Sequence, residues 1–552
     1  MIIGGVAAGP KTAATLARRL KGASITLFQK EEMISYATCG MPYFASGDID
    51  TFGKLNETSY EVPRDVDFFR KTKGFEVVTG AEVTAIDREK KTVTVRLHSS
   101  GETIEHGYGK LIIATGSDAN KPPFPVAESP LISQFKRPED AIAFRKAAQQ
   151  GQVGKTVIVG AGLIGCELAE ACTAMWGIET VLVEREKQLL PYVLDPDMSA
   201  IAEREVRRQD VELRLGAEVS EIKLDDDGSP VVILSGGESI SADYVFLCLG
   251  VHPVTALAKD AGLAIGDTGG ISVNTRMQTS DPDIYAGGDC VESYNLITGK
   301  SIYMPMGSLA NRHGRVIAEN LAGNDCEFRG VVGAFLVKIF DLNVGAVGLS
   351  QGVAETAGIK AVSVWGSFPD KPDYYPEFST MSLKMTYDPE GGRLLGLQAV
   401  GRGDICRRVD VFSSFLQRNG TLEDLLDFEQ GYAPPYSEAL DPLHHLASVT
   451  AARKRGCVFI SPNSDHPRDA IYLDVREPEE VSSEPWPSSE GIELLNIPLN
   501  DLRDRIGELD SGRKICIVCR RGPRSYQAAV ILQQAGFDNV VLIGGGTQAA
   551  LS

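Results

Sequence analysis

The feature that most constrains this chain is a repeat: twice, a short apolar strand runs into a glycine-rich turn and then a helix. In the first copy Ile2-Ile3 leads into Gly4-Gly5-Val6-Ala7-Ala8-Gly9, a helical stretch to Leu20 and a strand at Ser24 to Phe28. In the second, Thr156 to Val159 leads into Gly160-Ala161-Gly162, a helix from Leu163 to Trp176 and the strand Thr180 to Val183. Such a unit sets a helix N-terminus at the end of a parallel strand, where glycines let the backbone approach an anionic group. A plain tight turn is the other reading of the first copy taken alone. Only three residues precede that turn, so a few are expected to be missing upstream of Met1.

A length of 552 residues exceeds what one core supports and suggests roughly three or four domains. The apolar strand Leu111-Ile112-Ile113 returns the chain to the first unit. After about Gly323 the pattern changes to alternating strands, as in Ala334 to Ile339, and then to a helix from Ile405 to Arg418. Residues 451–469 mix basic residues, Pro, Ser and Asn without periodicity and read as a linker. Two short apolar strands beyond it, Ala470 to Leu473 and Lys514 to Val518, predict a small C-terminal α/β domain. The division is therefore 1–115 with 250–323, 116–249, 324–450, the linker, and 470–552.

The net charge of -19 argues against nucleic acid or an anionic membrane as partner, because both reward clustered Lys and Arg. No apolar run approaches the roughly 18 residues that span a bilayer. Ten scattered cysteines fit a reducing, cytoplasmic setting better than a disulfide framework. The seven histidines do not pair with cysteines at ligand spacing, so no metal is expected.

Two further pieces strengthen the first turn. Ala114-Thr115-Gly116 follows a strand, and Thr279 to Asp289 reads TSDPDIYAGGD, ending in Gly288 and Asp289. A carboxylate there is placed to accept hydrogen bonds from flavin ribityl hydroxyls. With the turn (Gly4, Gly5, Ala7, Ala8, Gly9) these pieces resemble the FAD domain of flavoproteins with two dinucleotide folds. Many relatives end the second strand in a Glu that binds the adenosine ribose; Gln29 stands here, with Glu31 close by. In the second unit Gly160, Gly162 and Gly165 complete a G-x-G-x-x-G, and Glu184 follows about 20 residues on. A carboxylate there favours NADH over NADPH, although Arg185 beside it leaves NADPH open. Glu167 either faces the flavin and nicotinamide or is a solvated helix residue.

The segment Ser35-Tyr36-Ala37-Thr38-Cys39-Gly40-Met41-Pro42-Tyr43 comes soon after the second strand. Glutathione-reductase-like enzymes place a C-x4-C pair there, but Phe44 stands where a second cysteine would be. A lone cysteine cannot close a disulfide with a neighbour. The sulfur to be reduced must belong to a substrate thiol, as mixed disulfide or persulfide, or the oxidised group is a sulfenic acid. A thiolate suits this work as both nucleophile and leaving group.

SYATCGMPY resembles the S-F-A-N-C-G-L-P-Y signature of the coenzyme A disulfide reductase group, and in particular its rhodanese-fused members, which include NADH-dependent persulfide reductases. The resemblance runs through Met304 to Arg315 (MPMGSLANRHGR), Tyr374 to Pro376 (YYP) and Tyr432 to Tyr436 (YAPPY). It implies two Rossmann-like domains binding FAD and NADH, an α+β dimerisation domain and a homodimer. It also implies that tyrosines of one subunit reach the cysteine of the other. Tyr432 matches the YAPP tyrosine, and Tyr374 and Tyr375 match the YY pair, with no sign of which approaches the sulfur. A hydroxyl there could protonate a departing thiolate; interface packing is the alternative. Coenzyme A contacts map to Lys11, Thr12, Thr15, Arg18 with Arg19 beside it, Ser35 and Asn311. Thr38 replaces the usual Asn before the cysteine, and Leu440 stands where many relatives have a Lys.

Near the C-terminus, Cys519-Arg520-Arg521-Gly522-Pro523-Arg524-Ser525 follows a strand and precedes a helix, as in a rhodanese loop. Backbone N–H groups curled around the sulfur stabilise a thiolate or persulfide anion, and Arg520, Arg521 and Arg524 are expected to add positive potential. Asp474 and Arg476 belong to a D-x-R-E that follows an early strand. Cys516 and Cys519 also read as C-x-x-C, but Cys516 lies in the apolar strand.

These readings predict an FAD-dependent, NADH-driven reductase of persulfides, polysulfides or CoA disulfides working through Cys39, with Cys519 handling sulfane sulfur. Its substrate is then a small thiol-linked molecule, with coenzyme A as substrate or bound cofactor. The rivals are an NADH oxidase or peroxidase cycling through Cys39 sulfenic acid, and a flavin-based redox sensor.

Overall fold

The computed structural model describes residues 1–463, 467–486 and 492–551. The chain forms two compact units: Met1–Val183 with Glu218–Val331, and Glu184–Ala217 with the chain from Val332 onward.

The first unit is built on parallel strands whose residues are buried on both faces, as near-continuous Ile, Leu and Val runs require. One sheet runs in the order Ile284–Ala286, Leu111–Ile113, Ile2–Ile3, Thr26–Phe28, Glu76–Val78, and its central Ile2 pairs with both Leu27 and Ile112. The helix Ala8–Arg19 leaves the first turn, and Gly307–Leu321 crosses it closely: a Cβ added at Gly314 would stand 2.8 Å from the Ala8 carbonyl oxygen. In the second parallel sheet Lys155–Val159 lies between Glu179–Glu184 and Tyr244–Leu247. The helix expected from Leu163 to Trp176 is α-helical over Leu163–Glu170 and widens into a π-turn over Ala171–Met175.

The second unit carries a five-stranded antiparallel sheet in the order Phe335–Ile339, Leu342–Gly348, Leu394–Gly401, Thr380–Tyr387, Val362–Pro369. The central strand Leu394–Gly401 is buried throughout, under the helix Ile405–Leu416. A second, parallel sheet runs Val458–Ile460, Val540–Ile543, Ile515–Val518, Ile471–Asp474, Glu493–Asn496. The stretch read as a linker, 451–469, is thus partly structured. It holds the end of the helix Pro442–Lys454 and the edge strand Val458–Ile460, whose three residues are too few to show a period in sequence.

One buried ionic cluster ties this unit together. Lys384 Nζ, on the antiparallel sheet, lies 2.8 Å from Asp195 Oδ2 and 2.9 Å from Asp197 Oδ1. Gln398 Nε2 donates to Asp195 at 2.8 Å and Trp365 Nε1 to Asp197 at 2.6 Å. Burial opposes ionisation of Asp195, but Lys384 and the hydrogen bonds of Gln398 and Ser350 outweigh it and hold the carboxyl below its ordinary value. Among the described residues, no helix is long and apolar enough to cross a membrane.

Removing one partner of a buried, fully bonded ion pair leaves a charge without compensation, so Lys384→Met should destabilise the second unit by about 3–5 kcal/mol. Chemical denaturation followed by tryptophan fluorescence would measure this, since Trp365 borders the cluster.

Candidate active site and sulfur-carrier loop

The two glycine turns are built by the same contacts. Gly4 and Gly160 both have φ +106°, and a Cβ on either would collide with a carbonyl oxygen of the neighbouring strand end, that of Ala114 or Cys248. Gly9 and Gly165 press on the carbonyl oxygens of Gly4 and Gly160, so that any side chain there would push helix from turn. No atom lies within 4 Å of a Cβ built on Gly162, which leaves the helix start open to a pyrophosphate. Val6 occupies the matching place in the first turn, followed by Ala7 and the buried Ala8. The residues present fit two dinucleotides.

At the end of the second strand Gln29 is buried and fully engaged. Its Oε1 accepts from Gly5 N at 2.6 Å and its Nε2 donates to Glu31 Oε2 at 2.6 Å. The carboxylate at this strand end is therefore Glu31, oriented by the amide. Near Ala114-Thr115-Gly116, Thr115 Oγ1 donates to Val254 O at 2.6 Å and Ser117 Oγ to Asp289 Oδ2 at 3.0 Å. Lys136 Nζ donates to Ser117 at 3.0 Å. Burial raises the Asp289 pKa, against the Ser117 hydrogen bond and the Lys136 charge. Gly288 N donates to Nδ1 of His313 at 3.2 Å, and burial, with Arg312 adding, lowers that imidazole to about 4. Sequence reasoning missed Ser117, Lys136 and His313. The first adjoins Gly116 and the last lies within the MPMGSLANRHGR segment, whereas nothing local marks Lys136. In the second unit Glu184 Oε1 accepts from Glu186 N at 2.9 Å, and Arg185 pairs with Glu186.

Cys39 sits in the short 3₁₀ turn Thr38–Gly40 and is exposed. The approach is held by Ser35, at φ +52°, whose N–H donates to Gly5 O at 2.8 Å. A Cβ on Gly307 would stand 3.7 Å from Cys39 Sγ, so the sulfur lies beside the first residue of the helix Gly307–Leu321. Free N–H groups at such a helix start favour negative charge nearby. All ten cysteines are free thiols, and Cys166, Cys172 and Cys290 are buried.

Tyr43 OH donates to Glu167 Oε1 at 3.3 Å, joining the cysteine segment to the helix after the second turn. Burial raises the Glu167 pKa to about 7, with the Tyr43 hydrogen bond opposing and Glu170 adding to the rise. Of the residues matched to coenzyme A contacts, Thr12 and Thr15 are buried. Thr12 bonds back to Ala8 O, and Thr15 accepts from Arg18. Arg19 is paired with Glu319. Lys11 and Arg18 make no ion pair among the described residues, and Asn311 Nδ2 donates to Gly307 O at 2.9 Å.

In the second unit Cys519 is buried, and Gly522, at φ +123°, turns its N–H onto the sulfur at 3.0 Å. Thr547 N donates to Cys519 O at 2.9 Å. Asp474 and Arg476 form a fully buried pair at 2.7 Å, and Arg476 Nη1 reaches Thr547 Oγ1 at 3.5 Å, so this pair braces the loop. Ser525 is buried with no hydrogen-bond partner for Oγ. Each loop arginine is paired with a carboxylate, Arg520 with Glu484, Arg521 with Asp373 and Arg524 with Glu480; the Glu480 hydrogen bond, with Cys519 adding, raises the Arg524 pKa, so that arginine also acts on the sulfur. Tyr374 is highly exposed, and the neighbouring Tyr432 hydroxyl raises its pKa. Tyr375 is half-buried under Lys371.

Two dinucleotide turns, a thiol at a helix start and a second, cradled cysteine are the features of a pyridine-nucleotide-linked oxidoreductase joined to a further cysteine-bearing domain. Residues 1–304 match the family pyridine nucleotide-disulphide oxidoreductase, 335–444 its dimerisation domain, and 463–551 the rhodanese-like domain. The chain belongs to the pyridine nucleotide-disulphide oxidoreductase family, whose members use FAD and NAD(P)H. It is 33% identical over 450 residues to the NAD(P)H sulfur oxidoreductase (CoA-dependent) of Pyrococcus furiosus, covering 81% of this chain and 98% of that one. It is 32% identical over 455 residues to an NADH oxidase of Methanocaldococcus jannaschii, covering 82% and 98%. The solved structure of a NAD-dependent persulfide reductase from A. fulgidus superposes with a TM-score of 0.94 at 36% identity, covering 99% of each chain.

A carboxyl raised by burial binds a proton that the unfolded chain releases, so the folded state loses stability as pH rises from the unfolded value through about 7. Glu167→Gln should flatten the fall of the thermal midpoint over that window. Tyr43→Phe, which removes the bond favouring the carboxylate, should shift the window upward. Calorimetry across pH 5 to 8 (about neutral) would check both.

Proposed function

We propose that this chain is an FAD-dependent, NADH-driven reductase of persulfides, polysulfides or CoA disulfides, acting through Cys39 and supplied with sulfane sulfur by Cys519. The observation that carries the reading is the exposed Cys39 sulfur beside the start of the helix Gly307–Leu321. In this reading residues 1–115 with 250–323 hold FAD, 116–249 hold NADH, 324–450 form a homodimer, and 470–552 are the carrier. Glu31 with Gln29 and Asp289 with Ser117 hold FAD hydroxyls, and Glu184 holds the NADH ribose. Lys11 and Arg18 take coenzyme A phosphates. A cytoplasmic location suits ten free thiols.

Bound FAD supplies the two-electron link between NADH and sulfur. The Cys39 thiolate attacks the outer sulfur of a persulfide, forming a new S–S bond while the carrier thiolate departs. A tyrosine hydroxyl, that of Tyr374, Tyr375 or Tyr432, supplies the proton to that departing sulfur. Two-electron reduction of the Cys39 persulfide then breaks its S–S bond, releasing hydrosulfide and restoring the thiolate. The Pyrococcus furiosus relative, named for CoA-dependent sulfur reduction, and the persulfide reductase of A. fulgidus support this over oxygen reduction. The oxidase reading rests on the Methanocaldococcus jannaschii relative.

Anaerobic NADH oxidation with CoA persulfide, polysulfide and CoA disulfide tests the assignment. Cys39→Ser should abolish all three activities, whereas Cys519→Ser should spare small substrates and slow delivery from bulky or polymeric donors. Turnover that survives the loss of Cys39, or rapid NADH consumption with oxygen alone, would overturn it.

A further inference from the structure

Arg521 lies two residues past Cys519, yet its guanidinium forks onto a carboxylate far away in sequence. Nη1 and Nη2 lie 2.9 Å and 2.5 Å from the two oxygens of Asp373. The backbone makes a second link, as Ser367 N donates to Arg521 O at 3.3 Å. Beside it a Cβ on Gly544 would stand 2.7 Å from Trp365, so the carrier sheet end rests directly on the strand Val362–Pro369. Asp373 immediately precedes the exposed Tyr374.

The other two loop arginines pair with Glu484 and Glu480 of the carrier's own fold. Arg521 alone among them reaches the antiparallel-sheet domain. Both partners are partly exposed, Asp373 by half, and a pair of this kind adds little to global stability. Its geometry does something else: it fixes the distance and orientation between the cysteine loop and the tyrosine turn, which a bidentate fork does better than a point charge.

We propose that the Asp373–Arg521 pair is a latch that holds the Cys519 loop against the Tyr374–Tyr375 turn, so that sulfur leaves the carrier from a docked loop. This rests on the reading of Cys519 as a sulfane carrier for the reductase. In the transfer, an acceptor thiolate attacks the outer sulfur of the Cys519 persulfide. One S–S bond forms on the acceptor, the bond to Cys519 breaks, and its electron pair remains on Cys519 as thiolate. No oxidant or reductant is needed. Asp373 is a positioning residue: it acts on the loop through Arg521.

The test uses the full-chain holoenzyme with thiosulfate as sulfur donor and Asp373→Asn and Asp373→Glu as variants. Three rates are compared: sulfur transfer to cyanide, NADH oxidation with CoA persulfide, and NADH oxidation driven by thiosulfate with catalytic coenzyme A. Asp373→Asn should lower the third about tenfold while the first two stay within about twofold, because only the handover loses its fixed geometry. Asp373→Glu, which keeps the carboxylate, should recover most of the loss. An unchanged third rate, or a fall matched in cyanide transfer, overturns the latch. If wild type shows no thiosulfate-driven NADH oxidation, the carrier reading itself fails, and hydrogen exchange then decides the latch. Peptides spanning 519–525 and 370–378 should both exchange about fivefold faster in Asp373→Asn; exchange unchanged in either one overturns it.

Discussion

The close seat of helix on turn at Gly9 and again at Gly165 is the contact on which the rest of the first unit depends. At both places a carbonyl oxygen five residues earlier in the chain, that of Gly4 or Gly160, occupies the space a side chain would need. That contact aims each helix start at the strand end, and everything that follows is measured from there. Ser35 hangs from Gly5 by a backbone hydrogen bond, and Cys39 follows within one short turn. Gly307 then presents a second helix start to the sulfur. A thiol so placed is held by main-chain geometry, which no surface substitution easily disturbs.

The polar groups around Asp289 show how side chains from separate elements finish what the turns begin. Ser117 comes from the strand after Ala114-Thr115-Gly116, Lys136 from the segment before the second fold, and His313 from the helix beside Cys39. Burial opposes charge on all of them: Asp289 is raised, and Lys136 and His313 are lowered. A neutral imidazole that accepts from Gly288 N keeps the adjoining strand end free of positive charge. In the second unit the Lys384 cluster plays the same organising part by different means, joining Gln398 and Trp365 of the sheet to Asp195 and Asp197 at the start of the helix Pro196–Arg208.

What could be read from sequence was what local chemistry alone dictates. The glycine turns, the lone Cys39 and the Cys519 loop are contiguous patterns whose residue types each answer a steric or electrostatic need. Element boundaries followed less well: Val458–Ile460 is too short to carry a period, and the helix past Leu163 widens into a π-turn that its composition does not announce. Partners across the fold were invisible. The loop arginines read as a positive field for sulfur, and Arg524 does act on Cys519; their carboxylate partners Glu480, Glu484 and Asp373 come from positions that spacing cannot reveal. Gln29 stands where many relatives have a Glu, and that its amide also orients Glu31 could not be read from sequence.

The pairing of those three arginines bears on the carrier role proposed for the loop. With the guanidinium groups matched by carboxylates, the Cys519 sulfur meets a peptide dipole, the N–H of Gly522, and the Glu480-paired Arg524. Dipolar fields fade over a few ångströms, while a bare cation draws chloride or phosphate from well beyond the protein surface. In the proposed carrier role a sulfur anion on this loop is held by short-range contacts, and arginines already paired with carboxylates draw the inorganic anions of the surrounding medium less strongly than bare cations would.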